Sequence, residues 1–210
     1  AGRARGRLTM RIVAGAARGR RLASPPDGVR PTGDRVREAL FASLGPTLHG
    51  TSVLDAFAGS GALGLEALSR GAATATLVER DRRALEVLRD NVARVGLAGA
   101  EVVAVDAVRL LRDAAAGGAV PPGAPYDLVL LDPPYATDED VLAGLLADLV
   151  PVLAPGARVV VERAAEAPAP RWPAALRPDE PRRYGATRLH RAALAVDATA
   201  GTADGTTEGT

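Results

Sequence analysis

The sequence predicts an α/β fold, a doubly wound and mostly parallel sheet, from three observations. From residue 52 onward, short apolar runs alternate with longer segments of helical period, the pattern of repeated strand–helix–strand units. A glycine-rich turn, Gly59-Ser60-Gly61-Ala62-Leu63-Gly64, stands between the first such run and the first helix, where sheets of this kind place their ligand loops. Further on, the run Leu128-Val129-Leu130-Leu131 ends in Asp132-Pro133-Pro134-Tyr135, which puts a carboxylate at the carboxyl end of a central strand.

Taken in order, residues 1–9 read as a flexible basic leader, with Met10 as the expected natural start. Residues 11–22 suit a short hairpin turning on Gly15 and Gly19. A Pro/Gly loop at 24–31 leads to a helix over Thr32–Leu44, with Val36, Leu40 and Leu44 on one face and Gly45-Pro46 as its stop. Ser52–Phe57 is a buried strand, Ala62–Arg70 a helix closed by Gly71, and Ala75–Val78 a second strand. The helix over Arg82–Val95 carries Leu85, Leu88, Val92 and Val95 on one face and ends at Gly96. Glu101–Val105 is a third strand, followed by a short helix to Ala116 and a Pro/Gly loop over 117–125. Tyr126–Leu131, a helix over Asp138–Leu153 and a strand over Arg158–Glu162 complete the alternation. Residues 171–196, broken by prolines and then alternating, suit a C-terminal antiparallel hairpin turning near Gly185. The expected organisation is a leader (1–9), an N-terminal hairpin-and-helix extension (10–45), a principal domain (46–196) and a disordered tail (197–210).

Composition removes whole classes of chemistry. The chain has no cysteine, which excludes disulfides, thiolate metal sites, iron–sulfur clusters and a cysteine nucleophile. His49 and His190 lie too far apart to suggest metal-ligand spacing, so no metal is expected. No apolar run approaches the ~20 residues of a membrane span and no signal pattern opens the chain, so no membrane association and a cytoplasmic location are expected. The net charge of +1 hides an asymmetry, and every basic residue is arginine. Residues 1–37 hold ten arginines against Asp27 and Asp34, a local +8, whereas 38–162 hold nine arginines against seventeen acids, a local −8. Residues 163–191 return to +4. An acidic body with basic ends suggests a polyanion touched by the termini.

Two motifs carry the chemistry. The spacing Gly59-x-Gly61-x-x-Gly64 alone would hold a dinucleotide pyrophosphate. Asp55, four residues before the first glycine, opposes a pyrophosphate and suits a cofactor with an ammonium and a sulfonium, which describes S-adenosylmethionine. Glu79, ending the second strand, suits ribose hydroxyls with either cofactor. Asp106, after the third strand, suits an adenine amine or a helix N-cap, and the two roles are compatible. At the second motif, the Asp132 carboxylate and the Pro133 carbonyl form a rigid pair of acceptors, because consecutive prolines fix the backbone and remove amide donors. Such a pair holds both hydrogens of an aryl NH2 while Tyr135 stacks on the ring.

These residues carry a resemblance. Asp55-Ala-Phe57-Ala-Gly59-Ser60-Gly61 with a downstream Asp-Pro-Pro-Tyr resembles the class I S-adenosylmethionine-dependent amino-methyltransferases, which have a Rossmann-like sheet. Arg11-Ile-Val-Ala-Gly-Ala-Ala-Arg-Gly-Arg-Arg-Leu22 and Arg30-Pro-Thr-Gly-Asp-Arg-Val-Arg-Glu38 narrow this to the bacterial RsmD family, enzymes that methylate N2 of a guanine in small-subunit (16S) ribosomal RNA. The resemblance spans about residues 10–195; alanines around the hairpin, the leader and the acidic tail depart from it. It implies that Asp55, Phe57, Gly59, Ser60, Gly61, Glu79, Asp106 and Ala107 surround the cofactor. Asp132, Pro133, Pro134 and Tyr135 would hold the target base, and Arg18, Arg20, Arg21, Arg30 and Arg35 would meet RNA phosphates. Free 16S rRNA or the small ribosomal subunit is the implied partner, and a monomer the expected state. The acceptor pair alone also fits an adenine-N6 methyltransferase on DNA or RNA, and a non-catalytic RNA-binding assembly factor is the third reading.

Overall fold

The computed structural model describes residues 8–24, 34–45, 48–134 and 136–195. Arg30, Tyr135, most of the leader and the tail from residue 196 lie outside the described residues. The fold is α/β. Its main sheet runs β5 (Ala100–Ala104), β4 (Thr74–Glu79), β3 (Ser52–Asp55), β6 (Tyr126–Leu131), β7 (Leu153–Ala164), β10 (Thr187–Leu194) and β8 (Leu176–Pro178), with β9 (Arg182–Tyr184) pairing β10. Strands β3 to β7 are mutually parallel, and β10 is antiparallel to β7, β8 and β9. The strand order reverses between β3 and β6, the switch point at which such sheets open a crevice.

Period-two alternation sends successive strand residues to opposite faces, and each face has its own core. Val53, Leu128, Leu130, Val160 and Leu189 pack with α1 (Asp34–Leu44), α2 (Ala62–Ser69) and α3 (Arg82–Val95). Leu54, Val129, Leu131, Val159 and Val161 pack with α4 (Ala107–Ala115) and α5 (Glu139–Leu149). No helix of the described residues is long and apolar enough to cross a membrane.

Three expectations are corrected here. Leu8 and Thr9, expected in the flexible leader, begin the first strand of the hairpin, Leu8–Arg11, with Leu8 paired to Ala23. The helix expected over Asp138–Leu153 stops at Leu149 and tightens into a 3-10 turn over Val150–Val152, because Pro151 has no amide hydrogen for the helical ladder. The strand expected over Arg158–Glu162 begins at Leu153. Pro155 and Gly156 fall where the pairing with β6 shifts between Tyr126 and Leu128, so neither has to serve a regular ladder.

The N-terminal hairpin, β1 (Leu8–Arg11) with β2 (Arg21–Ala23), is built into the first core: Met10, Ile12 and Leu22 are buried there with Leu40, Phe41 and Leu65. Glu66 of α2, 0% exposed, accepts hydrogen bonds from the Val13 amide at 2.7 Å and the Ala14 amide at 3.0 Å. It also accepts from Arg70 Nε at 2.7 Å and lies 3.7 Å from Nε of Arg37, another fully buried side chain. Arg37 in turn donates to the Arg11 carbonyl at 2.5 Å. A charge pair therefore fastens hairpin, α1 and α2 together.

Candidate active site

The parallel register brings four carboxylates to one edge. Asp55 ends β3, Glu79 ends β4, Asp106 follows β5 and Asp132 follows β6. These four strands are neighbours in the order β5-β4-β3-β6, about 4.8 Å apart. The row spans the switch point at the carboxyl end of the sheet.

Asp55 is 1% exposed. Its Oδ2 accepts from the Gly64 amide at 2.9 Å, while Oδ1 is buried with no hydrogen-bond partner among the described residues. Burial pushes its pKa up to about 7, the Gly64 and, more weakly, Phe57 amides oppose that rise, and the nearby charges of Asp132 and Glu79 add to it. A pyrophosphate would aggravate every one of these costs; a cation at Oδ1 would relieve them.

The glycines divide the work of the loop. Gly59 has φ +53, is half-buried, and has open space where a side chain would stand. Gly61 has φ +80 and faces inward, because a Cβ would meet Leu88 at 2.5 Å. The loop carbonyl of Ser60 accepts from Asn91 Nδ2 at 2.9 Å. Phe57 is half-buried against the α4/α5 core, and Ala107 is buried at the start of α4.

Glu79 holds the same loop. Its Oε2 accepts from the Gly59 amide at 2.9 Å, and its Oε1 accepts from the amides of Arg80 and Asp81, each at 2.7 Å. A carboxylate offers about four acceptor sites, so Oε2 keeps capacity for one hydroxyl. Asp106 is the N-cap of α4, accepting from the Arg109 amide at 3.1 Å, and pairs with Arg80 at 2.6 Å. Burial disfavours its charge, but the Arg109 amide and the Arg80 guanidinium outweigh this and hold its pKa below the ordinary value.

On β6, Asp132 is half-buried and Pro133 buried, while Pro134 is exposed and its carbonyl accepts from the Thr137 amide at 2.8 Å. The Pro133 carbonyl accepts nothing from the described backbone. Of the arginines proposed for RNA, Arg18, Arg21 and Arg35 are exposed. Arg20 is partly committed: its guanidinium donates to the Val95 carbonyl at the end of α3, where a cation complements the helix dipole.

Sequence reasoning missed Asn91 and Glu66. Asn91, 0% exposed, accepts from the Ala23 amide at 2.8 Å and donates to the carbonyls of Ala23 at 2.8 Å and Ser60 at 2.9 Å. The signal was available, since Asn91 interrupts the apolar face of α3 beside Leu88 and Val95, as Glu66 interrupts the apolar α2. Replacing Asn91 with Leu leaves buried backbone groups unpaired, at about 1–3 kcal/mol for each group. The expected result is a lower melting temperature together with weaker binding at the glycine loop, measured by calorimetry; binding unchanged in a folded variant would show that Ser60 needs no tether.

The family model described as Conserved hypothetical protein 95 matches residues 10–192. The chain is similar to Ribosomal RNA small subunit methyltransferase D of Escherichia coli (strain K12), 46% identical over 127 residues, 60% of this chain and 60% of that protein. It is 42% identical over 130 residues to the protein of that name in Haemophilus influenzae, covering 60% of this chain and 64% of the relative. The chain thus spans less than two thirds of the length of these curated relatives. Among solved structures, the yhhF protein of Escherichia coli matches at TM-score 0.73 and 40% identity, over 88% of this chain and 97% of that one. A hypothetical protein of Thermus thermophilus matches at TM-score 0.71 and 36% identity, over 87% and 98%. The match takes in the hairpin, the glycine loop and the Asp-Pro-Pro turn alike, and the chain belongs to the conserved hypothetical protein 95 family, the RsmD family that its N-terminal segments resemble.

Proposed function

We propose that the protein transfers a methyl group from S-adenosylmethionine to the exocyclic N2 amine of a guanine in small-subunit ribosomal RNA. The observation that carries this reading is the edge itself: a buried carboxylate with an orphaned oxygen ends the strand next to the one that Asp132 and Pro133 follow. The relatives named as small-subunit rRNA methyltransferases supply the substrate class. The donor set fits the cofactor: Asp55 Oδ1 would take its ammonium, the half-buried Gly59 backbone would run beside its amino-acid portion, Glu79 would accept from a ribose hydroxyl, and Asp106 with Ala107 would border its adenine. When bound, S-adenosylmethionine supplies an electrophilic methyl on a sulfonium.

An aryl amine is a poor nucleophile because its lone pair is delocalised into the ring. Acceptors on both N–H groups, Asp132 and the Pro133 carbonyl, favour a pyramidal nitrogen and stabilise the positive charge that develops on it. No strong base is needed beforehand; the methylated ammonium is acidic, and the Asp132 carboxylate would accept its proton. Pro134 keeps the pair rigid, and Tyr135 would stack on the base. The test is incubation with labelled S-adenosylmethionine and unmodified small-subunit rRNA or subunits, followed by nucleoside analysis. Label in N2-methylguanosine is expected; label in N6-methyladenosine would move the substrate to adenine, and no label would overturn the reading.

Asp55 makes cofactor binding depend on pH. Below about 7 its carboxyl carries a proton and would present a neutral acid to the ammonium. Affinity is expected to rise as pH increases through this value, and an Asp55→Asn variant to bind about 10–100-fold more weakly with the rise removed, the loss of a charge-assisted hydrogen bond. Stability of the free protein runs the other way. The raised pKa means the folded state binds the proton more tightly than the unfolded chain, so stability falls from about pH 4 to about pH 7 and then levels. Calorimetric titrations across pH check both; a flat affinity profile in the wild type would remove Asp55 from the cofactor site.

A further inference from the structure

The carboxyl edge of the sheet continues beyond Asp132 with the opposite sign. Leu131 of β6 pairs with Val161 of β7, so the next residues along β7 are Glu162 and Arg163. Arg163 stands directly opposite Arg188 of β10, and Arg188 directly opposite Arg183 of β9. Directly opposed residues of antiparallel strands share a face, so the three arginines form one row. It lies on the α4/α5 side, where Val161 and Ala192 point. At about 4.8 Å per strand the row extends from about 5 to about 15 Å beyond β6.

Like charges placed opposite one another destabilise a sheet, so the row has no explanation in folding. Of these three arginines, Arg183 has an ion-pair partner among the described residues, Glu166 at 2.9 Å. Neither Arg163 nor Arg188 has one among the described residues. His190, two residues along β10 and 4% exposed, has no hydrogen-bond partner at Nε2 among the described residues. Burial first, and the charges of Arg188 and Arg163 next, lower its pKa. Arg163 also lines an open hollow of about 510 Å³ with Thr137 and Arg171, beside the chain that follows the Asp-Pro-Pro turn. Three acids border it: Asp140 pairs with Arg171, Asp138 is the N-cap of α5, and Glu139 is exposed in the first turn of that helix.

We propose that Arg163, Arg188 and Arg183 bind successive phosphates of the polynucleotide strand whose base is delivered to Asp132. The inference rests on the methyltransferase reading above and adds a phosphodiester track on the C-terminal strands, separate from the arginines of the N-terminal hairpin. The reversal of sign between β6 and β7 sets the orientation: cationic cofactor over the acidic half, polyanion over the basic half.

The test compares wild type, Arg163→Ala/Arg188→Ala and Arg163→Lys/Arg188→Lys for binding to an unmodified small-subunit rRNA transcript across salt concentrations. Two lost phosphate contacts should reduce the slope of log K against log salt by about 1.4–1.8. The alanine pair should raise the KM for RNA about 10–100-fold with S-adenosylmethionine affinity within twofold and an unchanged or higher melting temperature. The lysine pair should keep the wild-type slope. A wild-type slope in the alanine pair, or RNA and cofactor binding lost together with stability, overturns the track. Methyl transfer by the wild type with an unaltered slope in the variant leaves the functional reading standing and removes only the track; a wild type that neither binds nor methylates RNA removes both.

Discussion

On the proposed reading, replacing Asp132 with Asn should lower methyl transfer about 100- to 1,000-fold, the usual consequence of removing one group aimed at charge that develops in the transition state. Asn keeps the shape and one neutral acceptor, but it loses the negative charge that would stabilise the nitrogen as it becomes cationic. The loss belongs in kcat at saturating RNA, with cofactor affinity within a few-fold. A second readout comes from the neighbouring strand. The Asp132 charge helps to raise the Asp55 pKa, so in the Asp132→Asn protein the pH midpoint of cofactor binding should move down. Steady-state rates with RNA and calorimetric titrations with cofactor measure the two effects on one preparation. A fully active variant would end the amine-methyltransferase reading.

Replacing Glu66 with Ala should cost about 3–5 kcal/mol, the usual penalty for breaking a buried ion pair from one side. At about 2–4 °C per kcal/mol for a chain of this size, the melting temperature falls by about 6–20 °C. The reason is concentration of partners: one fully buried carboxylate serves the Val13 and Ala14 amides, Arg70 and the buried Arg37. Arg70→Ala, which leaves the buried pair intact, should cost far less. Scanning calorimetry of both variants checks this. A loss below about 1 kcal/mol for Glu66→Ala, the scale of an exposed pair, would mean that the hairpin is an appendage after all.

Much of the fold could be read in advance because a parallel sheet buried on both faces writes itself into sequence as apolar runs separated by amphipathic segments. The glycine loop, the Asp-Pro-Pro turn and the strand-end acids were equally visible, since each depends on a few adjacent residues. The early start of β7 was not, because Pro155 and Gly156 read as breakers until their partner strand is known to slip out of register there. Nor was the place of the hairpin. Its contacts with Glu66 and Asn91 bridge more than 50 residues, and no local period reports on pairings at that range. The arginine row was hidden for the same reason: positions 163, 183 and 188 become neighbours only through strand pairing.

The side-chain amide of Asn91 closes the hairpin at Ala23 and the glycine loop at Ser60 simultaneously. Opening at either end disturbs the same hydrogen-bonded knot, and local openings of this kind are what solvent exchange of protected amides records. The Ala23 amide hydrogen, held at 2.8 Å by Asn91 Oδ1, is therefore a clock for a loop it never touches. Its exchange into heavy water should slow when a ligand settles on Gly59, and quicken whenever the loop lets go.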